Sequence, residues 1–216
     1  MTGRTAEAPR LPGQLEAVTD PTVEDGLEWA GVEVRGDLPG DVELAGVEMV
    51  GCRLVDVRLT GRELTDVRMA DVLFEDCELS GVRLTDGRFT RVELRRCRLA
   101  GMVAAGLKAR DVVLDDCTAA GAAFRMSTWE RCELRDVDLR EADFYAARLL
   151  GARLLRCDLR GADFTKADVS GTALHESTLD GIRGADSLRG VIIGSDQVLS
   201  LALPLFAALG IVVDDD

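Results

Sequence analysis

Residues 41–100 read, in blocks of five, DVELA GVEMV GCRLV DVRLT GRELT DVRMA DVLFE DCELS GVRLT DGRFT RVELR RCRLA. The same phase continues without an insertion through residues 176–180. In each block the fourth residue is normally Leu, Met or Phe, and the second residue is small or β-branched. A fixed period over so long a stretch is the signature of a stacked repeat architecture, in which each unit packs on its neighbours.

The five-residue period also defines the local geometry. Two inward positions in every five fit neither a helical stripe of period 3.6 nor a strand that alternates with period two. A short extended segment that turns a corner after each block fits both positions. Four such sides make a square coil, so residues 41–180 predict seven coils. With parallel strands about 4.8 Å apart, this body would be about 34 Å long.

The blocks EADFY, RCDLR, GADFT and KADVS, at residues 141–145 and 156–170, carry a resemblance to a known family. They match the loose consensus A(D/N)LXX of the pentapeptide repeat family, and the resemblance covers about two-thirds of the chain. The fold that it implies is all-β: a right-handed quadrilateral parallel β-helix, a solenoid of about seven to eight coils. A short C-terminal α-helical cap would complete it.

The repeat divides the chain into three parts. Residues 1–26 contain Pro9, Pro12 and Pro21 and no periodicity, so they predict a flexible N-terminal tail. Residues 27–185 predict the β-helix, with residues 27–36 as an imperfect first coil. The coil at 101–120 departs most from the pattern, and we expect a local distortion there. Residues 186–216 predict a capping and dimerisation segment.

The C-terminal segment reads as an apolar helix. Ser195 or Asp196 can cap its start, Gly210 can end it, and Pro204 should kink or divide it. Its apolar residues run nearly all the way round, so one side can cover the last coil while another needs a partner. The residues expected to form this cap and dimer contact are Leu201, Leu205, Phe206 and Leu209. The segment also resembles that of the mycobacterial fluoroquinolone-resistance member of the family, in which a C-terminal helix is associated with head-to-head dimers. We therefore expect a homodimer through residues 195–213.

All six cysteines occupy the second position of a block, where Val and Ala also occur. This position predicts that they are small buried apolar side chains. Neighbours that point the same way one strand spacing apart suit neither a zinc site nor a disulfide. No secretory signal or long apolar span is evident, so we expect a cytoplasmic protein that does not bind a membrane.

The sequence predicts a protein that is not an enzyme. The single histidine, His175, falls at the outward fifth position, and glycines recur by phase at the first position, where the chain turns a corner. No nucleophile stands beside a base, and a convex rod offers no cleft. We expect no catalytic residue, no cofactor and no metal site.

The charge pattern leaves two interpretations open. The chain carries a net charge of −13, but residues 41–183 hold 26 acids against 22 bases, which favours salt-bridge ladders between coils. Resemblance to the family implies the alternative, mimicry of duplex DNA by a column of carboxylates. The candidate column is interrupted by Arg96 and Arg156, and its acids are Asp56, Asp76, Asp116 and Asp136. A different column is mainly basic and would repel a surface that binds phosphate; it consists of Glu48, Arg68, Arg88, Lys108, Thr128, Arg148 and Asp168.

Exposed apolar residues give the leading function. A possible protein-binding patch consists of Tyr145, Leu150, Leu155 and Met126. The prediction is a non-catalytic, dimeric scaffold that presents the faces of a rigid rod to a protein partner. The alternative is a DNA-mimicking modulator of DNA gyrase or another topoisomerase that confers resistance to fluoroquinolones or other gyrase poisons. Direct binding of nucleic acid is not expected, because neither an aromatic platform nor a continuous basic stripe is evident.

Overall fold

The computed structural model describes residues 5–19, 21, 23–39 and 43–213, and they form a parallel β-helix followed by one α-helix. The helix is α1 (Val198–Ala208), and short 3₁₀ turns at Ala185–Ser187 and Ser195–Gln197 precede it. The strands are β1 (Glu16–Val18), β2 (Glu28–Ala30), β3 (Val32–Arg35), β4 (Leu44–Ala45), β5 (Glu48–Val50), β6 (Arg53–Val55), β7 (Glu63–Thr65), β8 (Arg68–Glu75), β9 (Arg83–Thr85), β10 (Arg88–Arg95), β11 (Lys108–Asp115), β12 (Thr128–Glu130), β13 (Glu133–Arg135) and β14 (Arg153–Leu155).

The strand register confirms the predicted 20-residue coil. Leu44 pairs with Leu64 and Leu64 with Leu84, so these leucines are stacked in single file. On another side, Val72 pairs with Val92 and Val92 with Val112. Isolated bridges carry the same spacing on to Asp163 and Arg183. Each parallel pair is joined by the other sides of its own coil, which supply the long connection that parallel strands require.

The corners explain which residues begin the blocks. The first residue of a block has a positive φ, as in Gly121 at 65°, Asp111 at 54° and Arg91 at 51°. Glycine takes this left-handed conformation without strain, and aspartate tolerates it better than most residues. Glycine and aspartate therefore recur at the first position because of the backbone.

The second and fourth residues fill a narrow apolar interior. Leu54, Leu134 and Leu154 are fully buried, as the block pattern predicts. The rings of Phe124, Phe144 and Phe164 form a stack, with centroid distances of 5.5 and 5.3 Å. Interiors of this kind are close-packed, so side-chain volume must balance between neighbouring coils.

The prediction of a local distortion at residues 101–120 is wrong, because the strands keep their register there. Pairing across this coil is continuous, and the small Ala109 lies between Phe89 below and Trp129 above. Large neighbours in the same column thus compensate for the missing volume. The indole of Trp129 donates a hydrogen bond to Ser127 Oγ at 2.7 Å, which satisfies its buried N–H.

The described part of the N-terminal segment lies along the body, in contrast to the flexible tail predicted over residues 1–26, of which residues 1–4, 20 and 22 lie outside the described residues. The backbone N–H groups of Glu7 and Arg10 donate hydrogen bonds to Asp111 and Asp71, at 3.3 and 2.9 Å. Pro12 then lies close to Gly51, where a Cβ atom would come within 3.1 Å of its ring. Residues Glu16–Val18 pair with β3, and the paired residues are 16 positions apart in the sequence. The sequence pattern missed this because the contacts are polar and made by the backbone.

The C-terminal end is closed by Gln197 and one side of α1. The Gln197 amide donates hydrogen bonds to the carbonyls of Leu174 and Ser177, at 2.5 and 2.6 Å, and so covers the last coil. Gln197 is also the residue that precedes α1, whereas the predicted caps Ser195 and Asp196 lie in the 3₁₀ turn and give no side-chain capping bond. This prediction is wrong because the buried Gln197 displaces the start of the helix.

The glycine stop predicted for α1 is confirmed, but the helix is not divided at Pro204. Pro204 lies inside one continuous helix and does not divide it. Only the N–H of Pro204 itself is missing, and the residues on either side keep the N–H groups that form helical hydrogen bonds. Gly210 has a φ of 70°, and the N–H of Ile211 donates to the carbonyl of Phe206 at 2.8 Å. This is the left-handed glycine stop that the sequence predicts.

Candidate functional site

The predicted acidic column is only partly unpaired. Arg96 forms two hydrogen bonds with Asp76, at 2.7 and 2.9 Å, and Arg156 forms two with Asp136, both at 2.7 Å. These guanidinium groups lower the pKa of both carboxyls through the hydrogen bonds and the opposite charge. Asp56 and Asp116 are exposed and form no ion pair with any residue that the structure describes. The column therefore presents isolated carboxylates instead of a continuous row.

Backbone geometry accounts for these aspartates. Asp56, Asp76, Asp116 and Asp136 all have φ between 53° and 55°, as corner residues do. Their carboxylates recur every coil because the corner recurs. This positional signal was available in the sequence, since the first position holds Gly or Asp in many blocks.

Ion pairs between coils confirm the predicted salt-bridge ladders. Arg91 pairs with Asp71 at 2.6 Å and Arg131 with Asp111 at 2.6 Å, each across one coil spacing. Arg53 joins Glu33 at 3.1 Å to Glu75 at 2.5 Å, and so links successive coils of one face. Most of the body's charge is thus satisfied within the chain.

The mainly basic column differs from these ladders. Arg68, Arg88 and Lys108 are paired in register on β8, β10 and β11, and Thr128 and Arg148 continue the column. All five side chains are exposed. Arg68 forms an ion pair with Asp66 at 2.9 Å.

The predicted apolar patch is spread over successive faces. Tyr145 lies between Arg125 and Lys166, whose charged groups are 4.7 and 5.2 Å from the ring centroid, and Lys166 donates a hydrogen bond to its hydroxyl. Leu150 is 40% exposed and Met126 is 61% exposed. Leu155 is half-buried next to Arg135 in its column. As surface features, Met126 and Leu150 are the more accessible pair.

The residues predicted to form the cap and dimer contact separate into two groups. Leu201 is buried and Leu205 packs partly against the core, so these two cover the last coil. Phe206 and Leu209 are exposed. The sequence-based set omitted the most exposed side chains of α1, Leu199 and Leu203, at 85% and 65%. The end of the β-helix decides which side of α1 is inward, and the helix pattern alone, being apolar nearly all round, could not.

The six cysteines are free thiols and all are buried, as their position predicts. Burial raises the pKa of Cys132 to about 12 and that of Cys157 to about 11. The Cys157 thiol lies 3.5 Å from the carbonyl of Leu134. A buried thiol with a raised pKa is a weak nucleophile, so Cys132 and Cys157 serve the core.

Among the described residues no group of three or more His, Cys, Asp or Glu is arranged to hold a metal ion. His175 is half-buried at the fifth position of its block. Over the same part of the chain, no helix has the length and apolar character needed to cross a membrane.

The geometry defines a class of protein: a parallel β-helix of five-residue blocks whose interior is filled and whose outer faces carry paired charges. Residues 142–181 match the family model described as "Pentapeptide repeats" in eight copies. Residues 142–181 are thus pentapeptide repeats, as the blocks in this part of the sequence predict.

Several solved structures are distantly similar to this chain. A trypsin-treated form of QnrB1, a plasmid-mediated fluoroquinolone resistance protein, is 18% identical with a TM-score of 0.37, over 89% of this chain and 100% of that one. HetL, a protein involved in heterocyst differentiation regulation in the cyanobacterium Nostoc sp. strain PCC 7120, is 14% identical with a TM-score of 0.37, over 74% and 90%. Likenesses at this level carry no conclusion about function. No curated protein matches the chain.

Proposed function

We propose that this protein is a cytoplasmic, non-catalytic scaffold that forms a homodimer through α1 and presents the faces of its β-helix to a protein partner. The observation that carries the proposal is the exposed apolar side of α1. Leu199, Leu203 and Leu209 are 85%, 65% and 72% exposed, whereas apolar side chains of the second and fourth block positions are buried. An apolar surface at one end of a filled rod is typical of an association site.

A second copy of this chain is the occupant that α1 fits best. The helix contains no charged residue from Val198 to Ala208, so two copies can pack together without repulsion between charges. A surface that is apolar and uncharged can pair with itself about a two-fold axis. Terminal units of repeat proteins normally carry a polar outer face. Here the outer face is apolar, which favours a covered state.

The molar mass in solution tests the dimer. We expect the chain of 23.3 kDa to behave as a dimer at micromolar concentration in light scattering coupled to gel filtration. The double substitution Leu199→Glu and Leu203→Glu should give a monomer, because it places charges on both facing surfaces. Both residues are exposed, so the substitutions should not unfold the β-helix itself, and the monomeric variant should still melt cooperatively.

The matched control is Met126→Glu, which places the same charge on an exposed apolar residue of the body. This variant should remain dimeric. A monomeric wild-type mass, or a dimer that survives both substitutions in α1, would contradict the proposal.

DNA mimicry is the second candidate, and the exposed, unpaired Asp56 and Asp116 favour it. A gyrase supercoiling assay with and without a quinolone tests it directly. Mimicry predicts that the protein alters supercoiling and that Asp56→Asn with Asp116→Asn weakens the effect. The control is Asp76→Asn with Asp136→Asn, whose carboxylates are already bound by arginine. No effect of the wild-type protein at large excess would reject mimicry of DNA at gyrase.

A further inference from the structure

The unpaired basic side chains of the β-helix are concentrated in one column. Residues 43–183 contain 22 Lys and Arg residues, of which 17 form ion pairs with described residues. Arg62 and Lys166 donate hydrogen bonds instead, to the carbonyl of Leu38 and the hydroxyl of Tyr145. The remaining three are Arg88, Lys108 and Arg148, and all lie in the same column.

Few acids lie beside these three bases: Asp86 is two positions before Arg88, Glu130 is paired with Arg110 at 3.5 Å, and Asp168 follows Arg148 in the column. The side of the β-helix formed by residues 86–90, 106–110, 126–130 and 146–150 is called the basic face below. Within it, Lys108 is flanked by Gly106 and Arg110, and Arg148 by Ala146 and Leu150. Like charges stacked directly between strands repel each other. In several other columns an Arg instead lies against an acid of the next coil, as Arg91 does with Asp71 and Arg131 with Asp111.

The basic face is also concave. A shallow, open depression of about 410 Å³ runs along it, lined by Arg88, Lys108, Arg110, the shorter Thr90 and Thr128, and one acid, Glu130. Two exposed apolar side chains, Met126 and Leu150, belong to the same face.

We propose that the basic face binds an acidic peptide segment of a partner protein, with its carboxylates on Arg88, Lys108 and Arg148 and apolar side chains against Met126 and Leu150. The proposal rests on the proposed function as a scaffold and names the chemistry of its partner. A short peptide is favoured over nucleic acid because the whole chain has a net charge of −13, which repels a long polyanion. Charge-assisted hydrogen bonds between an arginine and a carboxylate are strong and directional.

Fluorescence anisotropy with a fluorescein-labelled peptide rich in Glu and carrying Leu tests the site. We expect saturable binding at low ionic strength that weakens as salt is added, and none with a companion peptide in which Gln replaces Glu. Arg88→Thr with Lys108→Thr should weaken binding by on the order of tenfold. Threonine already occupies the same column at Thr128, so the fold should tolerate the change, and the melting temperature should not fall.

The matched control is Arg83→Thr with Arg98→Thr. These two arginines also occupy exposed third positions, but they form ion pairs with Glu63 and Glu78. The control changes net charge equally and should leave peptide affinity within about twofold, since the site is local and not a property of total charge. Equal loss in both variants would overturn the proposal, as would no binding by the wild-type protein at millimolar peptide.

A single-stranded oligonucleotide is the third probe. Binding of the oligonucleotide more tightly than the peptide, with the same sensitivity to Arg88→Thr and Lys108→Thr, would overturn the assignment in favour of nucleic acid. The dimer is measured separately by molar mass. Loss of peptide binding in a dimeric protein rejects this inference alone, and a monomer that binds peptide rejects only the dimer.

Discussion

The two ends of the β-helix are closed in different ways. At the N-terminal end, the chain itself runs back along the body: Glu7 and Arg10 bond to Asp111 and Asp71, and β1 pairs with β3. At the C-terminal end, Gln197 and Leu201 cover the last coil, while Leu199 and Leu203 remain exposed. One end is completed by polar backbone contacts within the chain. The other is left apolar, which is why association is expected there and not at the first coil.

The largest expected effect on the free energy of unfolding concerns Leu201, on the inward side of the C-terminal cap. Leu201→Ala removes a buried side chain from the contact with the last coil and should lower the free energy of unfolding by about 2–5 kcal/mol. Val50→Ala, at an exposed apolar position of the body, is the control and should change it by less than about 0.5 kcal/mol. Urea unfolding followed by circular dichroism measures both. Equal, small effects would mean that α1 does not cap the coil.

A second substitution tests the polar part of the same cap. Gln197→Leu keeps the buried volume but leaves the carbonyls of Leu174 and Ser177 without their donor, which should cost about 1–3 kcal/mol. Gln14→Leu changes an exposed glutamine of the N-terminal segment and serves as the control. Both are measured by urea unfolding. A neutral effect of Gln197→Leu would show that water replaces the amide.

Acid should weaken the N-terminal closure. Hydrogen bonds from Arg91 and Arg131, with a smaller contribution from the N-terminal amides, lower the pKa of Asp71 and Asp111. A carboxyl with a lowered pKa in the folded state stabilises the fold above its unfolded pKa, and this contribution is lost as pH falls through the folded value. The melting temperature should therefore fall on acidification below about pH 4.

The double substitution Asp71→Asn and Asp111→Asn should reduce this acid-side fall by about 2–4 °C, although it lowers the melting temperature at neutral pH. The control is Asp56→Asn with Asp116→Asn, two exposed corner residues without an ion pair in the described part of the chain. Thermal melts from pH 7 to pH 2 compare the three proteins. Parallel curves for all of them would exclude Asp71 and Asp111 as the acid-sensitive groups.

The smallest expected effect concerns the close approach of Pro12. Gly51→Ala and Gly121→Ala both place a side chain at a left-handed corner, with φ of 64° and 65°, and each should cost about 1–2 kcal/mol. Only at Gly51 does the new Cβ atom approach Pro12. We expect Gly51→Ala to be less stable by a further ~0.5 kcal/mol. An equal cost would show that the N-terminal segment moves aside freely.

Much of the fold was predictable because each block meets the same surroundings. The inward residues, the coil of 20 and the buried cysteines follow from position within the block. The expected distortion at 101–120 was wrong because volume is balanced along a column, as with Ala109 between Phe89 and Trp129, and not only within a block. The candidate sites were less predictable. Which acids of the acidic column are bound by arginine, Asp76 and Asp136, and which remain unpaired among the described residues, Asp56 and Asp116, required the structure.

The sequence by itself determined the five-residue phase and the parallel β-helix, because a repeat places every block in nearly the same local environment. Only the tertiary structure decided what happens where the repeat stops. The path of residues 7–12, the burial of Gln197 and the inward choice of Leu201 over Leu199 depend on one-off contacts at the ends. Only the structure showed which three basic residues are unpaired, because an ion pair depends on the reach of each side chain as well as on its column.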